Sequence, residues 1–100
     1  MRLKPLKAKA LTRDDAETMA AEAAAFLTEE PDRLGRFLRE TGMDLATLTS
    51  ALTSGEAGVL SACLDYILAD ESALLVFASA IRQKPEAVMY ARQLLDGGSA

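Results

Sequence analysis

Apolar residues recur at helical spacing along most of the chain, in runs of about ten to sixteen residues divided by helix-breaking punctuation. The marks are Thr12-Arg13-Asp14-Asp15, Glu30-Pro31-Asp32, Gly42-Met43-Asp44, Gly55-Glu56, Asp70-Glu71, Lys84-Pro85-Glu86 and Gly97-Gly98. A first helix is predicted over 13–29, with Thr12 as N-cap and Asp15 in capping-box position. Met19, Ala23, Phe26 and Leu27 share one of its faces; Asp15, Glu22 and Glu29 share the opposite one. The second helix should run over 31–41, opened by Pro31, which needs no amide partner in the first turn, and stopped by Gly42. Asp44 caps a third helix over 45–54, whose stripe is Leu45, Leu48 and Leu52 and in which Thr47, Thr49, Ser50 and Thr53 make it the weakest former. A fourth, over 57–69, and a fifth, over 71–83 with Asp70 as cap, are apolar nearly all round, which predicts that they supply the centre. Pro85 opens a sixth, over 85–95.

A shift of 40 residues superposes the halves. Leu34 falls on Leu74, Phe37 on Phe77 and Ala51 on Ala91; Phe26 meets Tyr66, Leu27 meets Ile67, Glu30 meets Asp70 and Leu48 meets Val88. Period and helix count are similar to armadillo or HEAT-type repeats. The same register also arises when two three-helix units obey the same patterning rules without shared ancestry.

Composition agrees on class. Ala and Leu number 35 of 100 residues and Val and Ile only five, a balance that favours helix over strand. The expectation is an all-α, compact bundle of five to six short helices forming one domain over 13–96, between an arm at 1–12 and a frayed tail at 97–100. No apolar run approaches the ~20 residues that span a bilayer, and none follows the N-terminus as in a secretory signal. The single cysteine, Cys63, permits no internal disulfide and fits a reducing, cytoplasmic setting.

Charge is uneven. Arg2, Lys4, Lys7, Lys9 and Arg13 stand in the first thirteen residues without an acid; six basic and fifteen acidic residues follow. Such an arm either contacts nucleic acid, an anionic membrane or an acidic partner, or is a solvated tail that lies on its own acidic body. Arg33, Arg36 and Arg39 recur every three residues on the second helix. They read as a patch for phosphate or an acidic partner, or as intrahelical pairs of Glu29 with Arg33, Asp32 with Arg36 and Arg36 with Glu40.

The runs Gly35-Arg36-Phe37-Leu38-Arg39-Glu40-Thr41-Gly42-Met43-Asp44 and Val59-Leu60-Ser61-Ala62-Cys63-Leu64-Asp65-Tyr66-Ile67-Leu68-Ala69-Asp70-Glu71, with Pro85-Glu86-Ala87-Val88 and Ala91-Arg92, carry a resemblance. Over about 16–97 the chain resembles a family of short, all-helical alphaproteobacterial proteins known as a domain of unknown function. The resemblance implies a small helical bacterial protein and brings no catalytic or binding residue with it.

Chemistry is sparse. Without histidine, and with one cysteine, the usual zinc and haem ligands are missing, so no cofactor is expected. Cys63, among Leu60, Leu64 and Ile67, reads as inert packing. Asp65 interrupts an apolar helix and is expected to cap a neighbour, pair with an arginine or reach solvent. Residues 44–69 mimic helix-turn-helix, but the second helix carries no basic residue to hold a DNA backbone. The leading expectation is a non-enzymatic protein-interaction module, its partner another protein or a second copy of itself. Nucleic-acid or anionic-surface association through the arm is the alternative. A small-molecule site between helices, lined by Met19, Phe26, Phe37, Tyr66 and Phe77, is the third.

Overall fold

A computed structural model describes residues 11–97, and helix ends in it follow local chemistry. Helix α1 spans Arg13–Glu29. The Asp15 amide donates to the Thr12 hydroxyl at 3.1 Å while the Thr12 amide donates to the Asp15 carboxylate at 3.0 Å, the reciprocal capping box. Glu30 is extended and serves two helices: it ends α1, and its carboxylate accepts from the Arg33 amide at 2.9 Å to start α2, Pro31–Thr41. Gly42 stops α2 at φ 76°, a left-handed conformation that a Cβ would penalise. Asp44 then caps α3, Leu45–Ser54, by accepting from the Thr47 amide at 2.8 Å, and hydrogen bonding from Thr47 holds its carboxyl below the usual range. Helices α4, Ala57–Leu68, α5, Glu71–Ala80, and α6, Pro85–Gly97, complete the chain. Asp70 caps α5 by accepting from the Ser72 and Ala73 amides.

Three boundaries differ from expectation, the smallest at α4, which stops one residue early at Leu68. Helix α6 runs two residues further, to Gly97. Helix α5 stops at Ala80, three residues early, because the chain turns there without glycine. Arg82 adopts φ 60°, its amide donates to the Ser79 carbonyl at 3.1 Å, and the Gln83 amide donates to the Ala78 carbonyl at 2.9 Å. This is a Schellman turn with arginine in the left-handed position. Lys84 precedes a proline and is kept out of helical geometry, so the turn must be finished by then.

The centre also differs. Helices α1 and α4 form the central pair, not α4 and α5. Seven α1 residues are buried, among them Ala16, Ala20, Ala23 and Ala24, none more than 1% exposed. From α4 come Leu60, Cys63, Leu64 and Ile67, and from α6 Ala87, Val88 and Ala91. Helix α5 buries only Phe77 and Ala78. Small side chains let backbones approach closely, so alanine-rich α1 takes the place that hydropathy assigned to leucine-rich α5.

The 40-residue correspondence has a three-dimensional counterpart. Leu27 and Ile67, Phe37 and Phe77, Leu48 and Val88, and Ala51 and Ala91 are all fully buried, and Glu30 and Asp70 cap equivalent helices. The ring contacts are reciprocal. Phe26 packs on Phe77 at 5.3 Å between centroids, and its equivalent Tyr66 packs on Phe37 at 5.1 Å. Exchanging the halves converts one pair into the other. Stacked repeats would carry each contact forward to the next unit; here each half instead receives a ring from the other, within extents of 34 × 28 × 25 Å.

Equivalence makes a test. Phe37→Ala and Phe77→Ala should each lower the unfolding free energy by ~3–5 kcal/mol, and by similar amounts. Urea titrations of both variants check this; a clear disparity would show that the halves are not equivalent in packing.

Candidate functional site

Arg2, Lys4, Lys7 and Lys9 lie outside the described residues, as does the tail beyond Gly97. The fifth cation, Arg13, belongs to the body. Its guanidinium donates to the Leu94 carbonyl at 3.0 Å and sits 3.6 Å from Glu17, tying the start of α1 to the last turns of α6. Leu11 is 6% exposed and packs in the core, so the body begins there rather than at residue 13.

The three arginines of α2 do not form one patch. Arg33 donates to the Phe26 carbonyl at 2.8 Å, and its guanidinium lies 3.9 Å above the Phe26 ring, a cation–π contact at the C-terminal end of α1. Arg36 faces Tyr66 and Arg39 is solvent-exposed. Among the described residues, none of the expected pairs Glu29–Arg33, Asp32–Arg36 and Arg36–Glu40 closes to an ion pair. The α1 carboxylate stripe divides as well. Asp15 is used in its cap, while Glu22 and Glu29 border a shallow groove beside Phe26 and Phe77, where partial burial pushes the Glu22 carboxyl up.

Asp65 finds an arginine across the bundle. Arg92 of α6 grips both its carboxylate oxygens, at 2.7 and 3.2 Å, and lies 3.7 Å from Asp96. Hydrogen bonding to Asp65 raises the Arg92 pKa further. Cys63 is fully buried, and burial pushes its thiol from 9.0 up to about 12. Burial, and then the neighbouring Glu40 carboxylate, push the Tyr66 phenol up. Of the five residues expected to line a site between helices, Phe26 and Tyr66 border one cleft and Phe26 and Phe77 a shallow groove, while Met19 and Phe37 are buried in the core. Among the described residues, no three His, Cys, Asp or Glu side chains group as metal ligands, and no helix is long and apolar enough to cross a membrane.

Two clefts lie at opposite ends of the α1–α4 pair. One, of about 450 Å³, is lined by the first turns of α1 and α4 and the ends of α3 and α6. The other, of about 270 Å³, lies where the C-terminal ends of α1 and α4 meet the first turns of α2 and α5. Both contain residues equivalent under the 40-residue exchange: Glu17 with Ala57, Ala20 with Leu60 and Gly55 with Leu95 in the first, Phe26 with Tyr66, Glu30 with Asp70 and Arg36 with Val76 in the second. In the smaller cleft, Glu30, Asp70 and Arg33 are already engaged in holding helix ends.

Two predictions follow from these groups. A double-mutant cycle on Asp65→Ala and Arg92→Ala should give a coupling of only ~0.5–1 kcal/mol, because water reaches both side chains, 56% exposed at Asp65 and 24% at Arg92. Cys63 should resist disulfide reagents in the native state at mildly alkaline pH and react at the free-thiol rate once urea unfolds the chain. Its raised pKa stabilises the fold below pH 9.0 and loses that contribution as pH rises toward about 12, which alkaline unfolding curves of the wild type and Cys63→Ala would separate.

Comparison with curated proteins and with solved structures finds no match to this chain. A family model described as Protein of unknown function (DUF3572) matches residues 13–98, from the first residue of α1 to just past the end of α6. The match spans all six helices, both clefts and the Asp65–Arg92 pair, and the chain belongs to that family.

Proposed function

We propose that the chain is a non-enzymatic protein-interaction module that docks through the outer face of α5. What carries this reading is a difference between equivalent helices. Leu75 and Val76 on α5 are 50% and 53% exposed, whereas the equivalent positions on α2 hold Gly35 and Arg36. The scaffold is thus satisfied by glycine and arginine at these places, so its packing does not require leucine and valine there. Two large apolar side chains held half in water on a peripheral helix are a binding surface in waiting. Met89 on neighbouring α6 is exposed to a similar degree, 49%.

Burying a leucine or valine side chain fully is worth ~1.5–3 kcal/mol, so covering these two from half exposure contributes about that much in total. Leu75→Glu/Val76→Glu should therefore leave helicity and thermal unfolding near wild type while weakening association by about tenfold or more. Sedimentation equilibrium reads self-association, and capture from nuclease-treated native lysate reads other partners. Association that the double variant retains in full would remove α5 as the docking face. Capture that requires intact nucleic acid would instead favour the arm-mediated reading.

A further inference from the structure

We propose that the partner of the α5 face is a second copy of the chain, paired α5 to α5 in antiparallel orientation about a two-fold axis between Leu75 and Val76. This rests on the docking reading of α5 and names its occupant. The outward stripe of α5 consists of Ser72, Leu75, Val76 and Ser79, all exposed. Their spacing is i, i+3, i+4, i+7, so they form one continuous line along the helix. That line reads alike in both directions, with two branched apolar residues at its middle and a serine three residues beyond each. Identical copies that meet across a two-fold need a surface complementary to itself. With the helices antiparallel, Leu75 of each copy faces Val76 of the other, and Ser72 faces Ser79. Apolar side chains then meet at the centre. The small hydroxyls at the flanks let the helices close in, and each can donate or accept across the seam.

The ends of the stripe are complementary in charge. Glu71 opens α5 and Arg82 stands just past its last turn, both exposed. Antiparallel pairing brings each Glu71 toward the partner's Arg82, twice per dimer. The two positions miss direct opposition by two residues, ~3 Å of helix, which a long arginine side chain spans. A parallel pairing would set Glu71 against Glu71 and Arg82 against Arg82. Antiparallel helices also place each negative C-terminal end beside a positive N-terminal one. The equivalent line on α2 is Asp32, Gly35, Arg36 and Arg39, charged at three of four positions where α5 carries no charge. The two helices fill corresponding places in the scaffold, and of the two only α5 offers water an uncharged stripe. Size sets the strength. A helix of 10 residues is ~15 Å long. A seam of that length covers much less than the roughly 800 Å² per partner of a standard stable interface. Dimerisation should therefore be reversible, with a Kd on the order of 100 μM.

Added cysteines read the orientation in the full chain. In the proposed seam Ser72→Cys and Ser79→Cys lie opposite each other, whereas each is ~10 Å along the axis from its own counterpart, beyond disulfide reach. Mild oxidation should cross-link a mixture of the two variants into a mixed dimer and leave each variant alone largely monomeric; buried Cys63 takes no part. Sedimentation equilibrium of the wild type above that Kd should show a reversible dimer. Glu71→Arg and Arg82→Glu should each raise the Kd about fivefold. An equimolar mixture of these two should recover wild-type affinity, because both contacts in the mixed dimer again join opposite charges. Self-cross-linking of Ser72→Cys as fast as in the mixture would overturn the proposal, as would a mixture of the charge variants no tighter than either alone. A chain that stays monomeric above that Kd would overturn it too, while capture of another protein, abolished by Leu75→Glu/Val76→Glu, would leave the α5 docking reading standing. Self-association unchanged in Leu75→Glu/Val76→Glu would remove both.

Discussion

Four alanines on α1 leave so little side chain between that helix and its neighbours that backbone approach, rather than side-chain bulk, organises the bundle. Ala16, Ala20, Ala23 and Ala24 are all but inaccessible, and α4 and α6 close against the helix that bears them. Once α1 and α4 lie together, their ends define both clefts, which the remaining helices complete. A larger residue at any of these positions must push the helices apart, because an interior packed to crystal density has no slack to absorb extra methylenes.

The polar contacts orient helices that apolar burial has already brought together. Arg33 joins α2 to the end of α1, Arg13 joins α1 to α6, and Arg92 joins α6 to α4. Two of these bonds end on carbonyls in the last turns of a helix, where the partial negative charge favours a cation and water would otherwise be the only partner. Each is partly exposed and worth little alone. Together they set rotation and register, which alanine faces by themselves leave loosely defined.

What the sequence disclosed was what depends on near neighbours. Thr12 with Asp15, Pro31, Gly42, Asp44, Gly55 and Pro85 are read from a window of a few residues, and the helices they bound lie where expected. The end of α5 was hidden because the left-handed residue is Arg82, and nothing local marks an arginine for that role. The central pair was hidden because hydropathy ranks Leu75 and Val76 above Ala20 and Ala24, whereas close packing ranks them the other way. Arg33 was read as a patch residue or as the partner of Glu29 four residues back; the helix break at Glu30 lets it reach the Phe26 carbonyl seven residues back instead, a spacing that no single-helix rule nominates. Both clefts depend on the relative placement of four helices, and no local pattern encodes them.

The position of α5 gives its exposed face a further consequence. This helix buries only Phe77 and Ala78, and the Phe26–Phe77 ring contact is its main anchor on α1. An element with few buried contacts opens at lower free energy than the core it rests on. A partner that covered Leu75 and Val76 would bind the closed form and not the open one, so docking would stabilise α5 by mass action. Affinity for that partner and the strength of the Phe26–Phe77 contact are therefore linked quantities. A change at Phe26, remote from the docking face, would weaken binding by lowering the population of α5 held ready to receive the partner.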